Sequence, residues 1–228
     1  HTIKKWKQLG FSDVQLAYII NKNKKTPLPY DYYSLLNASL KFRQLRYKKN
    51  IKAIIKKIDT TSAEYPAESN YLYTTYLGDH NDSLKSKIQT KSIITLGAGA
   101  YRIGASVEFD WCGVSCTKAI QDAGINSIMI NCNPETVSTD FNCSDRLYFE
   151  ELNLERILDI CEFEKTKNII LAMGGQLPNK LAKELSENNL NILGHSYETI
   201  EKAENRKKFS SLLDELEIKQ PEWIAATS

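Results

Sequence analysis

From residue 88 onward, short apolar runs alternate with amphipathic segments of helical length, and no other feature narrows the possible folds as much. The runs are 93–96, 127–130, 146–149, 168–172 and 191–193, and the helical patterns between them cover about 107–123, 153–164 and 178–188. Strands separated by helices of that length imply right-handed βαβ units and a parallel sheet. The expected class is therefore α/β, with a Rossmann-like parallel sheet over 88–228. A further helical stretch at 198–217 reads as two consecutive pieces, stopped by Pro221.

Three runs lead into polar turns, two of which bear glycines. The first is Gly97-Ala98-Gly99-Ala100-Tyr101-Arg102-Ile103-Gly104. Glycines after a parallel strand permit a sharp turn and bring backbone N–H groups towards an anion at a helix N-terminus. The final glycine comes two residues later than in the dinucleotide fingerprint, and no Gly-Lys-Ser/Thr follows. A tight strand–helix turn without a ligand explains the glycines equally well. Arg102 could clamp a carboxylate or phosphate, or pair with Glu108 or Asp110, two acids that also suit the first turn of a helix. The second turn, Asn131-Cys132-Asn133-Pro134-Glu135-Thr136-Val137-Ser138-Thr139-Asp140, puts Glu135 near a ligand, although its residue types favour turns for local reasons too. It lies beside the first if their strands are neighbours. The third, Met173-Gly174-Gly175-Gln176-Leu177-Pro178-Asn179, offers Gln176 as a hydrogen-bonding group. Ligands of open α/β sheets bind at this carboxyl edge. The three turns contain no activated nucleophile, no His–carboxylate pair and no metal set, and His195 reads as a surface turn residue. The residues alone indicate binding rather than a complete catalytic apparatus.

Residues 1–50 read as helical. Ser12 can cap a helix through Val14, Leu16, Ala17, Ile19 and Ile20, and 26–29 breaks the chain. A second helix follows over about 31–48, with Leu35, Leu36, Ala38, Leu40, Phe42 and Leu45 as its apolar set. Residues 53–59 fit a strand or another helical turn. The tyrosine-rich stretch 65–76 reads as an extended segment laid across a surface, and the polar stretch 78–83 as a linker. Residues 1–87 carry 16 Lys and Arg against 7 Asp and Glu, whereas 88–228 carry 14 against 21. Such asymmetry fits a nucleic-acid arm or a basic helical module docked on an acidic one. Only two arginines and no Gly/aromatic RNA-binding motif accompany the lysines, which favours docking. The five cysteines, an odd number without C-x-x-C spacing, read as reduced thiols, with Cys112 and Cys116 as small core residues. No apolar run approaches membrane-spanning length. The chain starts with His1 rather than Met, as an excised piece of a longer protein would.

Leu96 to Gly104, followed by Val107-Glu108-Phe109-Asp110-Trp111-Cys112, resembles the large subunit of carbamoyl phosphate synthetases. The likeness continues through Met129 to Asp140, Ser144-Asp145-Arg146-Leu147-Tyr148-Phe149-Glu150, Gly174 to Asn179 and Ala203-Glu204-Asn205-Arg206. Leu9-Gly10-Phe11-Ser12-Asp13 and Lys57-Ile58-Asp59-Thr60-Thr61-Ser62-Ala63-Glu64-Tyr65 extend it to the N-terminal part. The run 131–140 is gapless and the most specific portion.

The resemblance implies that residues 1–87 are the later part of a helical oligomerisation region with a linker, and 88–228 the pre-ATP-grasp domain that opens the second, carbamate-phosphorylating half. It places Arg102, Gly104, Ser106, Glu135 and Gln176 along a carbamate tunnel, with Gly97, Gly99, Gly174 and Gly175 in anion-facing loops. Ser106 replaces a glycine of some members. ATP and Mg2+ (or Mn2+) serve the parent enzyme, and neither these nor any other metal is expected on this chain. Implied partners are the following ATP-grasp domain, a glutamine amidotransferase subunit or domain, and further copies of the chain, with no nucleic acid or membrane. The implied setting is pyrimidine or arginine synthesis in the cytoplasm, or in mitochondria in some eukaryotes.

Overall fold

The computed structural model describes residues 2–24, 31–82, 91–101 and 107–225. In chain order the elements are α1 (Thr2–Gln8), α2 (Asp13–Lys22), α3 (Tyr32–Lys48), β1 (Ile54–Lys57), β2 (Tyr71–Thr75), β3 (Ser92–Leu96), α4 (Glu108–Asp122), β4 (Asn126–Asn131) and β5 (Arg146–Phe149). They continue as α5 (Leu154–Glu164), β6 (Asn168–Ile170), α6 (Gln176–Asn179), α7 (Ala182–Glu187), β7 (Asn191–Ile192), α8 (Tyr197–Glu204) and α9 (Arg206–Glu215). The expected N-cap forms, with Ser12 closing a capping box with Gln15, and Asp31 caps α3 by accepting the Ser34 N–H. No helix among the described residues is long and apolar enough to cross a membrane.

The strands make one seven-stranded sheet in the order β1-β2-β5-β4-β3-β6-β7, parallel except for the β1–β2 pair. After β3 the chain builds outward through β4 and β5, then crosses back to place β6 on the other side of β3. That reversal is the switch point of a doubly wound sheet. One face, with Ile94, Leu96, Ile128, Ile130 and Tyr148, joins a core with Leu36 of α3, Ile157 and Ile160 of α5 and Leu185 of α7. On the alternate positions Thr95 meets Cys116 of α4 and Met129 lies under Gly113 of α4. The α/β, Rossmann-like expectation stands.

Two local expectations are corrected and one that was left open is decided. Residues 71–75 are not laid over a surface: they are β2, inserted between β1 and β5, with Leu72 fully buried. Residues 54–57 are a strand, so the stretch before residue 88 contributes two strands to the sheet as well as three helices. The described part of the expected linker folds back on β1. Asn81 Oδ1 accepts the Ile55 N–H (2.7 Å) and Asp82 Oδ2 the Lys57 N–H (2.8 Å), which closes part of the open edge of the sheet.

The N-terminal helices are bolted to α5 by buried charge. Arg46 is 0% exposed and donates to Asp13 Oδ2 (2.8 Å), Asp159 Oδ2 (2.8 Å) and the Ile51 carbonyl (3.3 Å). Lys7 reaches Asp13 (2.9 Å) and Glu155 (2.7 Å). Arg43 and the Tyr47 hydroxyl share Asp159 Oδ1 at 2.8 and 2.7 Å. Burial opposes the Arg46 charge, yet Asp159 and Asp13 hold its pKa above the ordinary guanidinium value. Four cations of the first 87 residues, Lys7, Arg43, Arg46 and Lys52, thus pair with acids of α5, in keeping with docking. Breaking a buried pair from one side leaves an uncompensated charge, so Arg46→Met is expected to lower stability by about 3–5 kcal/mol in urea denaturation. Lys52→Met, which removes an exposed pair with Glu162, should change it by no more than about 0.5 kcal/mol.

Candidate functional site

The expected edge forms at the carboxyl ends of β4, β3 and β6, three adjacent strands. Leu96 pairs with Ile130 and Thr95 with Ile170, so the three turns leave the sheet side by side. Their glycines allow the turns to interlock. A Cβ on Gly97 would lie 2.6 Å from the Asn131 side chain, and one on Gly99 (φ +71°) would lie 2.7 Å from Leu177. At Gly174 it would meet the carbonyl oxygens of Leu96 and Gly97, and at Gly175 (φ +77°) the Phe109 ring at 2.6 Å. The turn after β6 therefore sits directly on the turn after β3 and on α4.

The backbone N–H groups of these glycines are already engaged. Gly97 donates to the Ile130 carbonyl (2.9 Å) and Gly99 to Asn131 Oδ1 (3.1 Å). Gly174 and Gly175 donate to Leu171 and Ala172 (2.9 and 3.2 Å). Tight loop packing thus gives these four N–H groups protein acceptors.

Of the expected side chains, Glu135 and Gln176 are exposed on the turns after β4 and β6, which flank the turn after β3 at this same edge. The Glu135 N–H donates to Asn133 Oδ1 at 3.4 Å, and Gln176 opens α6 immediately after Gly175. Arg102, Gly104 and Ser106 lie outside the described residues. Tyr101 and Thr136 join the first two turns through their hydroxyls at 2.7 Å.

Sequence reasoning passed over the residues beneath this surface. Asn131, 1% exposed, accepts from Gly99 N–H and donates from Nδ2 to Ser138 Oγ at 3.0 Å. Asp110, read as a helix-dipole residue, is buried and accepts the Ser138 N–H at 3.0 Å. Asn131 is the last residue of its strand and Asp110 lies in a first helical turn, so each already had a sufficient local explanation. Burial pushes the half-buried Cys132 thiol up, which disfavours a reactive thiolate. The Cys116 and Cys161 thiols are likewise raised by burial, that of Cys161 to about 12. His195 is exposed, as expected for a turn residue. Among the described residues no three His, Cys, Asp or Glu side chains gather to hold a metal ion.

A doubly wound α/β domain with its carboxyl edge closed by interlocked glycine turns is the class that fold and site define. Residues 89–202 match the carbamoyl phosphate synthase preATP-grasp domain. The chain belongs to that family. It is 46% identical over 226 residues to the carbamoyl phosphate synthase large chain of Pyrococcus furiosus, covering 99% of this chain and 19% of the relative. It is 49% identical over 225 residues to multifunctional protein pyr1-3 of Dictyostelium discoideum (97% and 9% covered). To the mitochondrial ammonia-type carbamoyl-phosphate synthase of Mus musculus it is 45% identical over 227 residues (100% and 14%). The chain thus spans less than a fifth of these relatives. Among solved structures, a biotin carboxylase domain of a thermophilic 2-oxoglutarate carboxylase shows a faint likeness, with a TM-score of 0.39 and 16% identity over 55% of this chain and 27% of the other. A likeness that faint carries no argument.

The interlock predicts unequal glycine substitutions. Gly175→Ala meets both a positive φ and the Phe109 ring and should cost about 2–4 kcal/mol. Gly124→Ala, at φ +70° with nothing within 4 Å, should cost only about 1 kcal/mol. Thermal or urea unfolding of the two variants checks the difference.

Proposed function

We propose that this chain works within a carbamoyl phosphate synthetase large subunit, as the pre-ATP-grasp domain of the half in which carbamate and ATP become carbamoyl phosphate and ADP. In this reading residues 1–87 are the later part of the oligomerisation region and 88–228 the domain itself. The observation that carries the proposal is the gathering of three turns on one edge of the sheet, within a family match that begins at residue 89. Carbamate is a small anion that decomposes when protonated, so its route must exclude water while tolerating negative charge. Interlocked turns without gaps for side chains suit the first need. Arg102 would supply attraction. Glu135 repels an anion, so its work is gating or hydrogen bonding, with Gly104, Ser106 and Gln176 completing the lining.

The described residues do not fit a divalent cation, and none is assigned to this chain. ATP and Mg2+ or Mn2+ are assigned to the ATP-grasp domain that would follow. The other partners are a glutamine amidotransferase subunit or domain, or free ammonia in its place, and further copies of the chain through its helical region. The setting is pyrimidine or arginine synthesis, cytoplasmic or, for ammonia-dependent forms, mitochondrial.

Glu135→Lys in the full-length enzyme is expected to lower carbamoyl phosphate output by about tenfold, the effect of roughly 1.4 kcal/mol at the barrier, while bicarbonate-dependent ATP hydrolysis by the first half persists. Unchanged output would remove Glu135 from the route. Calorimetric titration of the 228-residue chain with ATP should give no micromolar binding. A micromolar dissociation constant would place a nucleotide site on this chain and overturn the assignment to the next domain.

A further inference from the structure

We infer that Asn131 is the positioning residue of this edge, the group that sets where the Glu135 carboxylate stands. The inference deepens the proposed function and rests on it. Glu135 is carried on a segment anchored at both ends by the same carboxamide. At the near end, Asn131 Oδ1 accepts the Asn133 N–H at 3.4 Å. At the far end, Asn131 Nδ2 donates to Ser138 Oγ at 3.0 Å, and Asp110 at the start of α4 takes the Ser138 N–H. The same Oδ1 accepts the Gly99 N–H from the turn after β3.

One buried amide therefore joins the turn after β3, the two ends of the Glu135 segment and, through Ser138, α4. An amide suits this place because it accepts and donates at once. The absence of a side chain at Gly97 admits it, since a Cβ there would lie 2.6 Å from Asn131 Cγ and Nδ2. Asn131→Ala removes the three bonds of the carboxamide and leaves only the Asp110 bond to the Ser138 N–H. Asn131→Asp keeps the acceptors, and the Ser138 hydroxyl can rotate to donate to the carboxylate, so the geometry should survive. Gly97→Ala displaces the carboxamide without removing it.

Amide hydrogen exchange at Gly99 in this chain reads the linkage directly. Exchange is expected to quicken by about tenfold or more in Asn131→Ala and in Gly97→Ala, and to stay within about twofold of the parent in Asn131→Asp, while Ile94 and Ile128 in the core remain protected. In the full-length enzyme, carbamoyl phosphate output should follow the same order, with bicarbonate-dependent ATP hydrolysis retained. Gly99 exchange unaltered in both Asn131→Ala and Gly97→Ala would overturn the inference and leave the proposed function standing. So would lost protection with unaltered output, provided Glu135→Lys still lowers output. Output unaltered in both Asn131→Ala and Glu135→Lys would instead sink the proposed function, and the inference with it. Should Asn131→Ala not fold, Gly97→Ala and Asn131→Asp still decide for or against the linkage.

Discussion

Arg46 holds a full positive charge where no water reaches it, and the arrangement of the N-terminal helices follows from how that charge is satisfied. Desolvating a guanidinium is expensive unless its donors meet carboxylates in good geometry. Its principal partners are Asp13 at the start of α2 and Asp159 in α5, with the Ile51 carbonyl taking a third bond. Lys7 from α1 and the Tyr76 hydroxyl just after β2 close the same cluster around Glu155. Helices α1, α2 and α3, strand β2 and helix α5 are thereby committed to one relative placement. A second buried pair, Arg146 with Glu164, joined by the Tyr148 hydroxyl, ties β5 to the end of α5 by the same logic.

That commitment matters for the site because β2 borders β5, which borders β4, whose end carries the Glu135 turn. The strands of the candidate site thus continue, through β5 and β2, into the elements that the charged cluster holds together. The site's turns are held to one another by contacts that only glycine permits and by one buried carboxamide. At this edge the N–H groups of Gly97, Gly99, Gly174 and Gly175 are already bound within the protein.

Several of these features were legible in the chain. Ser12 and Asp31 cap helices as their residue types demand, and the runs from 93 onward became parallel strands in the expected places. The helical pattern at 178–188 formed as two short helices, α6 and α7, on either side of Lys180 and Leu181. The apolar set assigned to α3 was misjudged at one position: Leu45 is 43% exposed while its neighbour Arg46 is sealed. Periodicity orients a helix by hydrophobicity, whereas here a distant pair of acids pulled the buried face round. The strand at 71–75 escaped notice because its tyrosines and threonines also suit a surface, and its pairing partners, β1 and β5, lie on either side of it in the chain.

What the sequence determined by itself is local and periodic: which stretches are helices or parallel strands, where caps and breaks fall, and which turns leave the carboxyl edge. These depend on residues within a few positions of one another, and the family likeness rests on the same contiguous motifs. Tertiary structure alone decided that Arg46 pairs with Asp159, 113 positions away, and that Asn131 receives Gly99, 32 positions back. Hydrogen bonds and ion pairs act over about 3 Å in space but any distance along the chain. A polar residue with a good local reason to be where it is therefore gives no sign in sequence of the remote partner that makes it indispensable.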